Sequence, residues 1–587
     1  MPGSEEGRDD LARWRAARPD NYYDATPNLA RGLALHAGAS QFGAMEPRLR
    51  AFGHVVATGV EPAVVSMERH RQLPAHVPSD AIGRPLEAVE FHPDHTRAGE
   101  AVWASGLLAL PHDGSGDFER VALFYLLSHA GEGGHACPVV CTVGLARAVE
   151  RRGPSDLRTR FGPGLQARHY DTCTRGSQFL TEVQGGSDVG ANAARAVPDP
   201  AQAGAWRISG EKWFCSVADA DVFAVTARPD GAPAGTRGLG CFLVPRTVDG
   251  APNGFRIRRL KDKLGTRALA SAEIDFDGAL AWPIGPVHDG FRVAVEDLLN
   301  TSRWLNAVGS TGLMRRACLE AASFARHRRA FGRAVGSFPA VREQLAVMKT
   351  EEQAALASTL ALTALHARLD DAHGAAPAGP GAAGPGAAGP GPGADAGVFR
   401  VLVNANKYVT STAATDVVRR GIEVLGGNGT IEDFSALPRL YRDAMVYESW
   451  EGTHNVLCAQ VQRDCARLGL LDDLLPWVRA TLAAAGEGAG AEGRAVGAAL
   501  DVLEPRLRRS VEDAEHAAAH FRRQLDQLMR AVQAACLLAE AAVEDGGTGK
   551  SAGAALFVRR HLVPGHDPED DAGWRGLVDE ALAGDAG

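Results

Sequence analysis

Nowhere does the chain hold an apolar run of the length that a bilayer-crossing helix needs, which excludes a helical membrane protein. Cysteine is scarce, with nine in 587 residues, at Cys137, Cys141, Cys173, Cys215, Cys241, Cys318, Cys458, Cys465 and Cys536. An odd and scattered set excludes a disulfide framework and reads as buried, reduced thiols. Cys137 and Cys141 are near neighbours, yet no Cys/His pair at zinc spacing accompanies them. His92 and His95, either side of Pro93, lack a carboxylate at metal spacing and read as a turn into a helix N-terminus. Gly238–Gly240 lacks the spacing and the following helix of a dinucleotide fingerprint. Gly546–Ser551 lacks the first glycine of a phosphate loop, because Glu544 stands there, and no strand precedes it. No excess of positive charge marks a nucleic-acid binder: the net charge is −9. Residues 471–587 hold 12 basic and 20 acidic residues, so most of the acidity lies at the C-terminal end. The start, Met1 to Glu6, is acidic and polar, unlike a secretory signal, and the expected compartment is the cytoplasm.

What is present is a long chain of globular composition, 45% hydrophobic and 23% charged, too long for one core. Residues 1–40 read as a polar leader, anchored on the body by Tyr22, Tyr23 and Leu29. Residues 41–176 read as a helical domain broken by prolines, with two buried helices flanking Gly131–Gly134. From 177 to 286 the period changes. Short runs such as Asp221–Thr226, Gly240–Val244 and Ala272–Phe276, bounded by Gly, Pro and Asp, are strand signals. From 287 to 470 the helical period returns, with Val341, Leu345, Met348, Leu356 and Leu360 on one face. Residues 374–397 are a Gly/Ala/Pro insert that cannot bury a core and is expected to be a disordered loop. Residues 471–587 read as a helical extension, with one long helix over Val502–Val543.

The segment from Thr181 to Ser216 organises the rest. It opens on Thr181-Glu182 and Gly185-Gly186-Ser187-Asp188 and closes on Gly210-Glu211-Lys212-Trp213-Phe214-Cys215-Ser216. Paired glycines let a backbone approach a flat ligand, and short hydroxyls read polar ring edges. Phe179, Leu180 and Phe214 offer apolar cover. The combination is a site for a planar, polar-edged cofactor.

This segment resembles the flavin-binding middle domain of acyl-CoA dehydrogenases. Three further segments match that family in order: Arg328-Arg329-Ala330-Phe331-Gly332, then Glu423 to Gly429, then Arg439 to Asp443 followed by Trp450-Glu451-Gly452-Thr453-His454-Asn455. The resemblance implies an α+β, mainly α fold: an N-terminal helical domain, a middle β-domain and a C-terminal four-helix bundle, here with the extension. It implies FAD as cofactor, an acyl-CoA substrate, and a homotetramer that shares its FAD sites between subunits. Leu180, Thr181, Gly186, Ser187, Phe214 and Ser216 are then flavin contacts. Arg328, Phe331, Gly426, Gly427, Thr453 and Asn455 take positions that in the family meet a partner's cofactor. Glu451 stands at the catalytic base. The implied reaction is α,β-dehydrogenation of an acyl thioester, in which an aqueous carboxylate is too weak a base, so burial must raise the Glu451 pKa.

Phe91-His92-Pro93, Cys137-Pro138, Lys212-Trp213-Phe214 and Arg259–Gly265 are similar to the AidB-like, DNA-alkylation-response branch of the family. That branch implies duplex DNA binding through the C-terminal region. Arg509, Arg523 and Arg530 recur here with His516 at seven-residue spacing, while the net acidity of 471–587 opposes a phosphate-neutralising role. Another departure is Pro339, where many members carry a Gln near the cofactor. Three readings stand: an FAD-dependent dehydrogenase, a DNA-associated flavoprotein with weak or vestigial activity, and a flavin monooxygenase or oxidase on the same fold. Glu451 favours the first.

Overall fold

Proline and Asx turns mark where the helical N-terminal part gives way to something else. The computed structural model describes residues 2–70, 72–374, 392–543 and 549–583. The N-terminal part holds α1 (Pro2–Ala16), α2 (Pro27–Ala37), α3 (Ala39–Val55), α4 (Glu61–His70), α5 (Pro93–Ala104), α6 (Asp117–Leu127), α7 (Ala136–Arg152) and α8 (Ser155–Leu165). Between α4 and α5 lies an antiparallel hairpin that helical periodicity does not announce, β1 (Ala75–Ser79) and β2 (Pro85–Glu90). Its turn is legible: the Asp80 carboxylate accepts hydrogen bonds from the backbone N–H groups of Ile82 and Arg84, both at 2.9 Å. Pro78 and Pro85 are tolerated because a two-stranded ribbon is all edge. The leader is mostly helical, and Trp14, Tyr22 and Tyr23 are its buried anchors, with Trp14 stacked on Phe434 at 4.9 Å.

The middle part is extended. It comprises β3 (Gly176–Phe179), β4 (Arg195–Pro198), β5 (Trp206–Ser216), β6 (Val222–Pro229), β7 (Gly240–Pro245), the short pair β8 (Thr247–Val248) and β9 (Ala251–Pro252), β10 (Phe255–Leu260) and β11 (Ser271–Pro283). Seven strands form one sheet in the order β10-β11-β5-β4-β6-β3, with β7 pairing both β11 and β6. Strands β6 and β7 are buried on both faces, which is why their apolar runs are continuous rather than alternating.

Helices then return: α9 (Gly290–Val293), α10 (Asn300–His327), α11 (Pro339–Gly374), α12 (Pro392–Leu425), α13 (Leu437–Ser449) and α14 (His454–Leu468), with the hairpin β12 (Arg329–Ala330) and β13 (Arg333–Ala334) after α10. Helix α10 is buried over most of its length, including the charged side chains of Arg303, Arg315, Arg316 and Glu320. Helices α10 to α13 form the bundle. Of the Gly/Ala/Pro insert, residues 375–391 lie outside the described residues. Gly374 ends α11 and Pro392–Gly397 begins α12, so both ends of the expected loop are helical.

The extension consists of α15 (Leu471–Ala483), α16 (Gly490–Glu512), α17 (Ala514–Val543), α18 (Lys550–Leu562) and α19 (Trp574–Leu582). The single long helix expected over 502–543 is two helices. Asp513 is extended, at φ −119° and ψ 101°, and its carboxylate accepts the His516 N–H at 2.9 Å, starting α17 as a cap. Of the Gly546–Ser551 segment, residues 546–548 lie outside the described residues. Helix α17 packs against α11, α14 and α15, and α18 and α19 cover α11. Among the described residues no helix is long and apolar enough to cross a membrane.

Candidate active site

The Thr181–Asp188 loop leaves the end of β3 and is anchored from beneath by one buried ion pair. The Lys212 ammonium, from β5, donates to the Glu182 carboxylate at 2.7 Å, and both side chains are buried. Glu182 also accepts the N–H groups of Ala193 and Ala194, and the Leu180 carbonyl accepts from Asn192 at 2.7 Å. With its polar floor satisfied, the loop turns its remaining groups outward. Gly186 must be glycine: a Cβ there would lie 2.6 Å from Thr181 Oγ1. Ser187 is exposed, and so are the apolar side chains of Val183, Phe214 and Leu264. Ser216, at the end of β5, hydrogen-bonds Ser271 at 3.1 Å, and Ser271 accepts from Lys263 at 2.9 Å. Uncovered apolar faces beside hydroxyls and an open glycine pair fit the isoalloxazine of FAD. Leu180, Thr181, Gly186, Ser187, Phe214 and Ser216 would hold it.

Glu451 lies elsewhere in the fold, in the turn between α13 and α14. Its carboxyl shares a small cavity with Phe124, Ala136, Cys137, Ser302, Asn306, Tyr447 and Trp450. Trp450 stacks on Tyr447 at 4.9 Å and closes one wall. Burial pushes the Glu451 carboxyl up to about 6, although Arg303 and Lys407 nearby pull it back. The turn itself is gripped by those two cations. Arg303 Nε donates to the Glu451 carbonyl at 3.0 Å, and Lys407 Nζ donates to the carbonyls of Glu448 at 2.8 Å and Gly452 at 3.2 Å.

Three parts of the fold meet through Asp443 of α13, one turn before the cavity residue Tyr447. Its carboxylate accepts the N–H of Glu132 at 3.0 Å, from the N-terminal part, and that of Thr266 at 2.6 Å, from the β-domain. Glu132 is pushed up by burial and by Asp443, and Lys263 is pushed down by burial. Ser216, Ser271 and Lys263 are thus joined by hydrogen bonds, and on the cavity wall the Cys137 N–H donates to Glu132 at 3.4 Å. Arg303, Lys407, Glu132 and Lys263 were not singled out from the sequence. Lys407 had a signal, as the lone charged residue between Val401 and Ala413 of α12.

The other expected cofactor contacts are on the surface of the bundle. Phe331 is 95% exposed at the tip of the β12–β13 hairpin, with φ +49°. Arg328 leans on α1 and donates to the Gly7 carbonyl at 3.3 Å. Gly426, with φ +61°, and Gly427 would place a Cβ in open space. Thr453 is the N-cap residue of α14, and Asn455 is exposed in its first turn. Among the described residues no hydrogen bond joins these groups to Thr181–Ser187 of the same chain.

The expected arginine stripe needs correction. The break at Asp513 leaves Arg509 on α16 and puts Arg523 and Arg530 on α17. Arg530 faces inward and donates to Glu351 at 2.8 Å and to Gln533 at 3.2 Å. Only Arg509 and Arg523 are exposed. A buried Asp117–His366–Asp370 group has metal-like spacing. Arg120 pairs with Asp117, and Arg147 and Arg151 pair with Asp370, so its negative charge is already met by guanidinium groups.

Family models match most of the chain in series: the Adaptive response protein AidB N-terminal domain over residues 15–172, the acyl-CoA dehydrogenase middle domain over 177–279, and the acyl-CoA dehydrogenase C-terminal domain over 288–466. The putative acyl-CoA dehydrogenase AidB of Escherichia coli is 33% identical over 408 residues, 68% of this chain and 70% of that protein. Acyl-CoA dehydrogenase family member 11 of Caenorhabditis elegans is 31% identical over 456 residues, 76% of this chain and 70% of that protein. Among solved structures, Caenorhabditis elegans ACDH-11 in complex with C11-CoA superposes with a TM-score of 0.80 at 26% identity, covering 95% of this chain and 92% of that one. The chain belongs to the acyl-CoA dehydrogenase family, in its AidB-like branch, and FAD is its cofactor.

Proposed function

We propose that this protein removes the α-proton and the β-hydrogen of an acyl-CoA thioester, with Glu451 as the base. The observation that carries the reading is the Glu451 carboxyl inside an apolar-walled cavity, raised to about 6 by burial. A carboxylate so placed is a stronger base than one in water and is still ionised at neutral pH. FAD supplies the hydride acceptor. Thr181, Ser187 and Ser216 orient its ring, and Trp450 and Tyr447 keep water from the proton being transferred. The acyl-CoA class comes from family membership and from the C11-CoA complex of the Caenorhabditis elegans relative.

In this reading the protein is a homotetramer. Arg328, Phe331, Gly426, Gly427, Thr453 and Asn455 of one copy meet the FAD held by another, which accounts for an almost fully exposed Phe331. A role on duplex DNA has a narrower footing, because the two exposed arginines of the expected stripe, Arg509 and Arg523, sit on different helices of an acidic extension.

Anaerobic titration of the purified flavoprotein with a panel of acyl-CoAs tests the proposal. At least one thioester should bleach the flavin. Glu451→Gln should slow that bleaching by about 10²–10⁴-fold, the range of a positioned general base. An unchanged rate removes Glu451 from the role, and a panel with no bleaching thioester removes the reaction.

A further inference from the structure

Arg522 reaches out of the C-terminal extension to the turn that follows Glu451. It lies on α17, and its guanidinium is held at two points. Nε donates to the Tyr408 hydroxyl of α12 at 3.1 Å, and the guanidinium carbon sits 5.3 Å from the centre of that ring. One terminal nitrogen donates to Asn455 Oδ1, in the first turn of α14, at 2.7 Å. Burial and Asp526, one turn along α17 from Arg522, push the Tyr408 hydroxyl pKa up, and the His454 ring lies 4.8 Å from Tyr408. Although Arg522 is exposed, its guanidinium bridges α12 and α14.

The chemistry settles how Asn455 is turned. A guanidinium has donors and no acceptor, so the carboxamide must present its oxygen to Arg522. Both N–H groups of Asn455 are then directed away, toward solvent, four residues after the base. A carboxamide free to rotate would offer donor and acceptor alternately. One locked by arginine offers donors only, which suits the phosphate and ribose oxygens of a dinucleotide.

We propose that Arg522 is a positioning residue of the FAD site, fixing the Asn455 carboxamide with its donors facing the nucleotide half of the cofactor. The extension is then a working part of the cofactor site and not only a cover for the bundle. The inference rests on the reading of Asn455 as a cofactor contact given above.

The test uses full-length apoprotein and measures the FAD dissociation constant by quenching of flavin fluorescence on reconstitution. Arg522→Ala should weaken FAD by about tenfold, the order expected for losing one charge-assisted hydrogen bond. Arg522→Lys, which keeps one donor, should recover part of the loss. Asn455→Ala should cost a similar factor, and the double variant should bind no more weakly than Asn455→Ala alone. Wild-type affinity in Arg522→Ala, or losses that multiply in the double variant, would overturn the inference and leave the Asn455 contact standing. Wild-type affinity in Asn455→Ala would remove that contact and the inference with it. Should Arg522→Ala fail to fold, Arg522→Gln read in the same way decides the matter.

Discussion

Glu451 has a backbone φ of +58°, and Gly452 after it has +110°. A non-glycine residue in the left-handed region costs about 1–3 kcal/mol and persists only where its surroundings hold it there. Here Arg303 and Lys407 fix it through the carbonyls of Glu448, Glu451 and Gly452. The same two cations favour the ionised form of the Glu451 carboxyl against its burial. Burial brings Lys407 down to about 7 and Arg303 down to about 10, while the Glu451 carboxylate pulls both back up. Removing a cation disfavours the carboxylate, so Lys407→Met should raise the Glu451 pKa above about 6. If Glu451 is the base, as proposed, it works only when ionised, and the acid limb of flavin reduction should move to higher pH. Stopped-flow reduction rates across pH check this, and an unmoved limb would show that Lys407 holds the turn without tuning the base.

At the scale of elements, the extension is seated by buried carboxylates. Glu351 of α11 accepts from Arg530 of α17 at 2.8 Å and from Arg560 of α18 at 3.1 Å, and it pairs with His561 at 2.6 Å. Burial would push Glu351 up, but these three groups hold it far below the carboxylate range. Glu351→Gln leaves two guanidinium groups facing a neutral amide, a loss of about 3–5 kcal/mol by analogy with broken buried pairs. The expected result is cleavage within residues 471–587 at protease levels that spare the wild type, followed by gel analysis. Arg530 thus serves docking, whereas Arg522, eight residues earlier on α17, reaches Asn455 in the turn after Glu451.

Across the whole molecule the seams between its parts carry acid-sensitive pairs. Glu61 of α4 binds Arg316 of α10 and Arg439 of α13. Burial opposes its charge, but the two arginines win and hold it at about 2. Glu540 of α17 meets Lys550 and, from the N-terminal part, His36. Burial is again overcome, and Glu540 also sits at about 2. Both folded pKa values lie below the ordinary 4.5, so the stability these groups contribute is present in full above that value. It drains away as the pH falls toward about 2. Melting temperature should be nearly flat from neutral pH to about 5 and fall steeply below. A Glu61→Gln/Glu540→Gln protein should start lower and fall less, as differential scanning calorimetry across pH would record.

Some of this was legible in order along the chain. The change of period near residue 177, the glycine pair before Ser187 and the Trp450-Glu451-Gly452 turn are local patterns, and local patterns report secondary structure and family membership. The Asp80 turn and the Asp513 cap were also local, but a single Asx cap is a weaker signal than a helical apolar period, so the hairpin and the helix break went unread. What tertiary structure alone decided is which charges are buried together. Arg303 is 148 residues from Glu451, and Lys407 is 45 from Gly452. No short-range pattern records that α10, α12 and α13 converge on one turn. The sequence by itself determined the family, the paired glycines of the Thr181–Asp188 loop and the carboxylate set between Trp450 and Gly452, because these follow from neighbours along the chain. Packing decided the basicity of Glu451, the inward turn of Arg530 and the reach of Arg522, because desolvation and pairing are set by residues far apart in sequence and close in space.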